Sequence, residues 1–202
     1  MSENGAILQI DVDGEIQKIV RQLNDLPTQL KAPTVLARAM NLTANEIKRK
    51  IGKQTRKRYA ITDDRILKDK SKGAMYLEKA TGADPAAVLI SKGAMSEVMA
   101  YTTRKNDSAT AAMLKVLNES NLTALEVDGR KAFEATFTNK DGSTHTAIVQ
   151  RRTKERLPIK KLLAPAVPHL YGKSYEEAEL DYYGILQKHI QQQVEKVLAQ
   201  RA

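Results

Sequence analysis

The chain has no cysteine in its 202 residues, which removes disulfide staples and every cysteine-based zinc site. Aromatic residues make up only 4% and apolar residues as a whole 42%, so the core available to a chain of this length is thin. No apolar run approaches the ~18–20 residues needed to span a bilayer, and no membrane partner is expected. Met1 to Glu15 lacks a basic segment followed by a long apolar one, so it does not read as a secretion signal, and a soluble, cytosolically made product is expected. Without secretion, the N-x-S/T matches at Asn41, Asn118 and Asn121 carry no weight. There is no phosphate-cradling glycine loop, no dinucleotide fingerprint and no G-x-S-x-G. The three histidines, His145, His169 and His189, are scattered, and none has a His, Asp or Glu at ligand spacing. The expectation is therefore a protein that is not an enzyme, with no catalytic residue, no metal and no cofactor.

What the chain does have is positive charge: a formal net charge of +9 and a pI near 9.6. Such a balance speaks to partners rather than to fold, with polyanions first and acidic protein surfaces second. The length fits one domain spanning 1–202, divided into a mainly helical part (1–70), a part with sheet, hairpin and arm (71–171) and a C-terminal helix (172–202).

In chain order, Ile7 to Val12 alternates as a short edge strand and Asp13-Gly14 turns it. That turn is not a calcium loop, since Gly14 comes too early and no Glu closes it. Apolar spacing predicts a helix over Glu15 to Leu26, stopped by Pro27, and a long one from Thr34 to about Tyr59 with Leu36, Met40, Ala44, Ile47 and Ile51 in one stripe. Gly52 weakens that helix by ~1 kcal/mol relative to Ala and marks a candidate bend. The helix also carries Lys48, Arg49, Lys50, Lys53, Arg56, Lys57 and Arg58, all but Arg58 pointing away from the apolar stripe. These read either as a phosphate-binding face or as a solvated face whose last cations complement the helix dipole. Asp63 and Asp64 read as the capped first turn of a short helix ending near Lys70 rather than as an acid/base pair. Ser-Lys-Gly-Ala-Met occurs at 71–75 and again at 91–95, predicting the same turn opening two strands, Met75–Thr81 and Met95–Thr103. With Ala86–Ser91 between them these form a small antiparallel meander. Arg104 to Thr110 reads as a polar loop, and Ala111 to Leu117 as helix or strand.

The densest stretch is Lys131 to Tyr171. Phe133, Ala135 and Phe137 alternate with polar residues, Asp141-Gly142 supplies a tight turn, and Thr144 to Gln150 returns, giving a β-hairpin. Arg151, Arg152, Lys154 and Arg156 come next. Leu157-Pro158-Ile159 and the prolines at 165 and 168 then predict an extended, edge-like arm without regular helix. Ser174-x-x-Glu177 reads as a capping box opening a helix to about Ala199, with Leu180, Tyr183, Leu186, Ile190, Val194, Val197 and Leu198 on one face. The fold class expected is α+β: a small, mostly antiparallel sheet packed by two long helices, with a proline-containing arm and a long C-terminal helix.

An aromatic before the hairpin, then Gln150-Arg151, Arg156-Leu157-Pro158-Ile159, Pro165-x-x-Pro168 and a closing helix together resemble the prophage minor tail protein Z family. Ala39-Met40-Asn41-x-x-Ala44 and Arg56-x-x-Tyr59-x-Ile61 extend the resemblance into the N-terminal half. It departs at Ala164, where the pattern has Gly, and Asn106 to Arg130 has no counterpart. The resemblance implies a structural phage protein, a tail-completion component made in the host cytoplasm and placed at the head-proximal end of the virion tail. It further implies a hexameric ring, with other tail or neck proteins as partners. In that setting the subunit-interface candidates are Phe133, Phe137, Leu157, Pro158, Ile159, Leu162, Leu163, Pro165, Val167 and Pro168. The alternative function is a basic nucleic-acid-binding protein, contacting phosphates of packaged or free DNA through Lys48, Arg49, Lys53, Arg56, Lys57, Arg151, Arg152 and Arg156.

Overall fold

The stripe Leu36, Met40, Ala44, Ile47, Ile51 is where the core begins. In the computed structural model, which describes residues 7–8, 32–84, 86–106 and 110–199, it lies on helix α1 (Ala32–Arg58) and every member is buried. At ~1.5 Å per residue α1 is about 40 Å long. Pro33 sits in its first turn, where no intrahelical N–H partner is needed, and the helix runs without interruption through Gly52. Buried Thr43 and Thr55 satisfy their hydroxyls by donating one turn back, each at 2.9 Å, to the carbonyls of Ala39 and Ile51. The far end of α1 is held by Asn118, whose Nδ2 donates to the carbonyls of Arg56 (3.0 Å), Lys57 (2.9 Å) and Tyr59 (3.2 Å). The Arg56 and Lys57 carbonyls belong to the last turn, where the helix supplies no partner, and the Tyr59 carbonyl also accepts from the Ile61 amide at 2.9 Å.

The strands are short and run in the order β1 (Ile7–Leu8), β2 (Tyr76–Glu78), β3 (Val88–Ile90), β4 (Met95–Glu97), β5 (Thr102–Arg104), β6 (Met113–Lys115), β7 (Thr123–Ala124), β8 (Glu126–Val127), β9 (Arg130–Thr138), β10 (Thr144–Arg151), β11 (Ile159–Lys161) and β12 (Leu163–Ala166). They form antiparallel sheets ordered β1-β3-β2, β5-β6-β7, β12-β4 and β11-β10-β9-β8. Helices α2 (Val167–Glu177) and α3 (Tyr182–Ala199) pack along α1. One core joins all these layers: α1's stripe, Leu89, Val98, Tyr101, Ala132 and Ile148 from the sheets, Leu170 and Tyr171 from α2, and Ile185, Leu186 and Ile190 from α3. The fold is α+β, with small antiparallel sheets and a long C-terminal helix.

The β9–β10 hairpin has the expected turn, with Gly142 at φ 81°. The expected edge strand exists at Ile7–Leu8; Gln9 to Val12 and the predicted helix Glu15–Leu26 lie outside the described residues. Five expectations are corrected. First, the stretch Met95–Thr103 is not one strand: a 3-10 turn at Val98–Ala100 splits β4 from β5, and β4 pairs with β12, so the meander stops at β2–β3. Second, the two Ser-Lys-Gly-Ala-Met copies do not repeat a turn. Gly73 is left-handed (φ 108°) after a 3-10 turn, whereas Gly93 is packed onto the first copy, where a Cβ would come within 2.5 Å of the Lys72 carbonyl oxygen. Third, the prolines do not exclude a helix. Pro168 opens α2, where its fixed φ suits the first turn. Fourth, Ser174 does not begin the last helix. It is buried near the end of α2; the chain breaks at Glu179 (φ 40°), and Asp181 Oδ1 accepts from the Gly184 amide at 2.8 Å to start α3. Likewise Asp63 does cap, by accepting from the Arg65 amide, but it leads into a pair of 3-10 turns (Asp64–Leu67, Lys70–Lys72) rather than a helix running to Lys70.

Candidate interaction surfaces

The arm after the hairpin is not straight. Residues 152–158 form a loop closed by the Arg152 amide donating to the Pro158 carbonyl at 2.9 Å, and β11 then returns alongside β10 as an edge strand. Past Leu162 the chain crosses to β4, where the register slips at Pro165, a residue with no N–H to give the ladder. The interface candidates therefore divide. Val167 and Pro168 are buried in the chain's own core and present no surface. Phe133, Ile159, Leu162 and Pro165 are half-buried, while Phe137, Leu157, Pro158 and Leu163 are exposed, Leu157 to 66%.

Two of the exposed members, Phe137 and Leu163, lie on a connected face, while Leu157 and Pro158 stand on the separate 152–158 loop. Phe137 stands opposite His145 across the hairpin. His145 Nε2 lies 2.9 Å from Lys161 Nζ, and Lys161 pairs with Glu97 Oε1 at 2.6 Å. Glu97 stands opposite Leu163 across the β4–β12 pair, and exposed Met95 is two residues along the same strand. Met95 carries no sequence signal for this role. Its place on this face follows from β4's pairing with the distant β12, where Met95 stands opposite Ala166, which periodicity does not disclose.

The basic residues also divide. Lys50 pairs with Glu46 at 3.2 Å, Arg56 with Asp64 at 3.2 Å, and Arg58 with Glu177 while lying over the Tyr59 ring at 5.4 Å. Lys48, Arg49, Lys53 and Lys57 have no carboxylate partner among the described residues. Lys48, Arg49, Lys53 and Arg56, with Asn45 and Gly52, form one wall of an open groove of about 640 Å³ whose other side is Leu67, Met75 and Tyr171. Tyr171 donates its hydroxyl to the Leu67 carbonyl at 3.1 Å, and burial pushes its pKa up to about 12, so it meets the groove as a neutral ring. The other cluster is more scattered: Arg151 lies over the Phe133 ring at 5.8 Å and lines a smaller recess of about 430 Å³ with Arg130 and Lys154, whereas Arg152 and Arg156 stand on the exposed loop.

No family model, curated protein or solved structure matches the chain.

Two of the histidines sit in pairs rather than clusters. His189, buried between helices, places Nε2 3.1 Å from Glu46 Oε2 and Nδ1 3.1 Å from Gln192 Oε1, tying α3 to α1. Partial burial alone would raise the Glu46 carboxyl, but hydrogen bonds from Lys50 and His189 hold it below the usual range. Among the described residues no group of three His, Asp or Glu is placed to hold a metal, and no helix is long and apolar enough to cross a membrane.

Proposed function

We propose that this chain is a structural virion protein, a tail-completion component that acts by assembling into a hexameric ring at the head-proximal end of a phage tail, against other tail or neck proteins. The sequence resemblance motivates the reading. The observation that carries it is the face running from Phe137 through His145, Lys161 and Glu97 to Leu163 and Met95, beside the edge of β11, which pairs with no further strand among the described residues. Three exposed large apolar side chains supply apolar area, and backbone groups that pair with no strand among the described residues can extend a ladder to a neighbour. A stable contact of this kind buries on the order of 1,000 Å² or more. The face and the Leu157 loop together offer the chain a route to that area.

The test is direct. Phe137 and Leu163 are exposed to only 37% and 47%, so each change to Asp is expected to cost the monomer about 1 kcal/mol, and urea unfolding of each variant checks that the monomer stays folded. The double variant is expected to stay monomeric by light scattering, where the parent forms rings, and to fail to complement tail assembly. A double variant that assembles and complements like the parent removes the proposal.

A further inference from the structure

We infer that the groove along α1 is a track for a sugar-phosphate backbone, with Lys48, Arg49 and Lys53 as its phosphate contacts. The inference does not depend on ring assembly. Three observations lead to it. The first is incomplete neutralisation: neighbouring Lys50, Arg56 and Arg58 are each matched to a carboxylate, whereas these three cations are not matched among the described residues. Arg49 and Lys53 are exposed and Lys48 half-buried, and a surface cation without a carboxylate can displace the counterions of a polyanion, whose release supplies a large share of phosphate binding.

The second is spacing. Arg49 and Lys53 are one turn apart on the same ridge of the helix, about 6 Å along its axis, and exposed Lys57 continues the row beyond the groove. A row of charges at this interval suits successive phosphates of one strand running along the helix.

The third is shape. Gly52 leaves a gap in the wall between Lys48 and Arg56; a Cβ there would meet nothing closer than Arg56 Nη1 at 3.6 Å. The opposite side, Leu67, Met75 and the neutral Tyr171, is apolar and has no hydrogen-bond donor to spare, since the Tyr171 hydroxyl is already committed. Charges on one wall and carbon on the other match a chain in which charged phosphates alternate with sugar carbons. A free phosphate ion would leave the apolar side unused. The cluster at Arg151, Arg152 and Arg156 has no comparable groove around its loop members and is assigned no part in the track.

The experiment is fluorescence anisotropy of a labelled 20-nucleotide thymidine strand and a 20-base-pair duplex, titrated with the full chain across a salt series. For three phosphates the strand gives a log–log salt slope contribution of roughly −2, at ~0.7 per phosphate, and the duplex a steeper one, at ~0.9. Lys48→Gln, Arg49→Gln and Lys53→Gln combined are expected to remove that contribution and weaken strand binding by at least tenfold at ~0.1 M salt. Gly52→Leu, which keeps every charge and fills the gap, is expected to weaken binding at least fivefold with the oligomeric mass unchanged. Arg151→Gln with Arg152→Gln and Arg156→Gln is expected to leave the strand slope as it was. Binding and slope unchanged in the triple variant on α1, or undiminished binding by Gly52→Leu, overturns the inference. So does displacement of the strand by polyglutamate at equal charge concentration, which would assign the groove to an acidic protein instead.

Discussion

Asn41 shows how a single side chain replaces a strand partner. Its Nδ2 donates to the Ala80 carbonyl and its Oδ1 accepts from the Ala80 amide, both at 2.9 Å, so α1 and the end of β2 are joined as two peptide groups would be. Asn41→Ala leaves that amide and carbonyl without partners, and urea unfolding is expected to show a loss of about 2 kcal/mol. The asparagine is visible in the sequence within Ala39-Met40-Asn41, but its partner lies 39 positions away and no local pattern points to it. Tyr101 and Tyr171 make a second residue-scale case. Burial pushes both hydroxyls up to about 12, against about 10 in an unfolded chain. Above pH 10 the unfolded chain releases protons that the folded chain keeps. Their contribution is therefore complete below pH 10 and is lost as the pH climbs towards 12. Thermal unfolding tracked from pH 9 to 12 is expected to show a steep fall in Tm, and the fall should be shallower in Tyr101→Phe and Tyr171→Phe than in the parent.

Among the elements, α1 was the most legible. A stripe with spacings of four, four, three and four survives any tertiary context, and all its members are buried. The hairpin was legible for a similar reason: Asp141-Gly142 fixes the turn, and the turn fixes the register from Thr138↔Thr144 onward. The C-terminal region was not. Ser174-x-x-Glu177 is a sound start signal, yet Ser174 ended up buried within α2, because Leu170 and Tyr171 already commit that helix to the core and Pro168 starts it earlier. Tertiary burial outweighs a cap worth about 1 kcal/mol. The end of α1 was illegible too, since Asn118 reaches it from another layer of the fold. Asn118→Ala is expected to cost about 1–2 kcal/mol, and Asn118→Asp more, because it sets a negative charge against carbonyls already at the negative end of the dipole. Amide exchange at Tyr59 to Ile61 should quicken in both.

At the level of the whole molecule, the exposure of the candidate surface residues was half readable. Residue type picked out Leu157, Leu163, Phe137 and the cations of α1, which do lie at the surface. It also picked Val167 and Pro168, which the fold buries, because apolar side chains serve a core and a contact equally well and only topology separates the two. The exposure of Met95 was not readable for the same reason. The loop at 152–158 has its ends fastened by the Arg152–Pro158 hydrogen bond and by the β10–β11 ladder, while Arg152, Lys154 and Arg156 stand exposed between them. Brief trypsin treatment is expected to nick there first, and gel filtration without denaturant should return both fragments in a single peak. The molecule is thus a natural candidate for splitting into two separately expressed halves, one ending and the other beginning at this joint, that recombine when mixed.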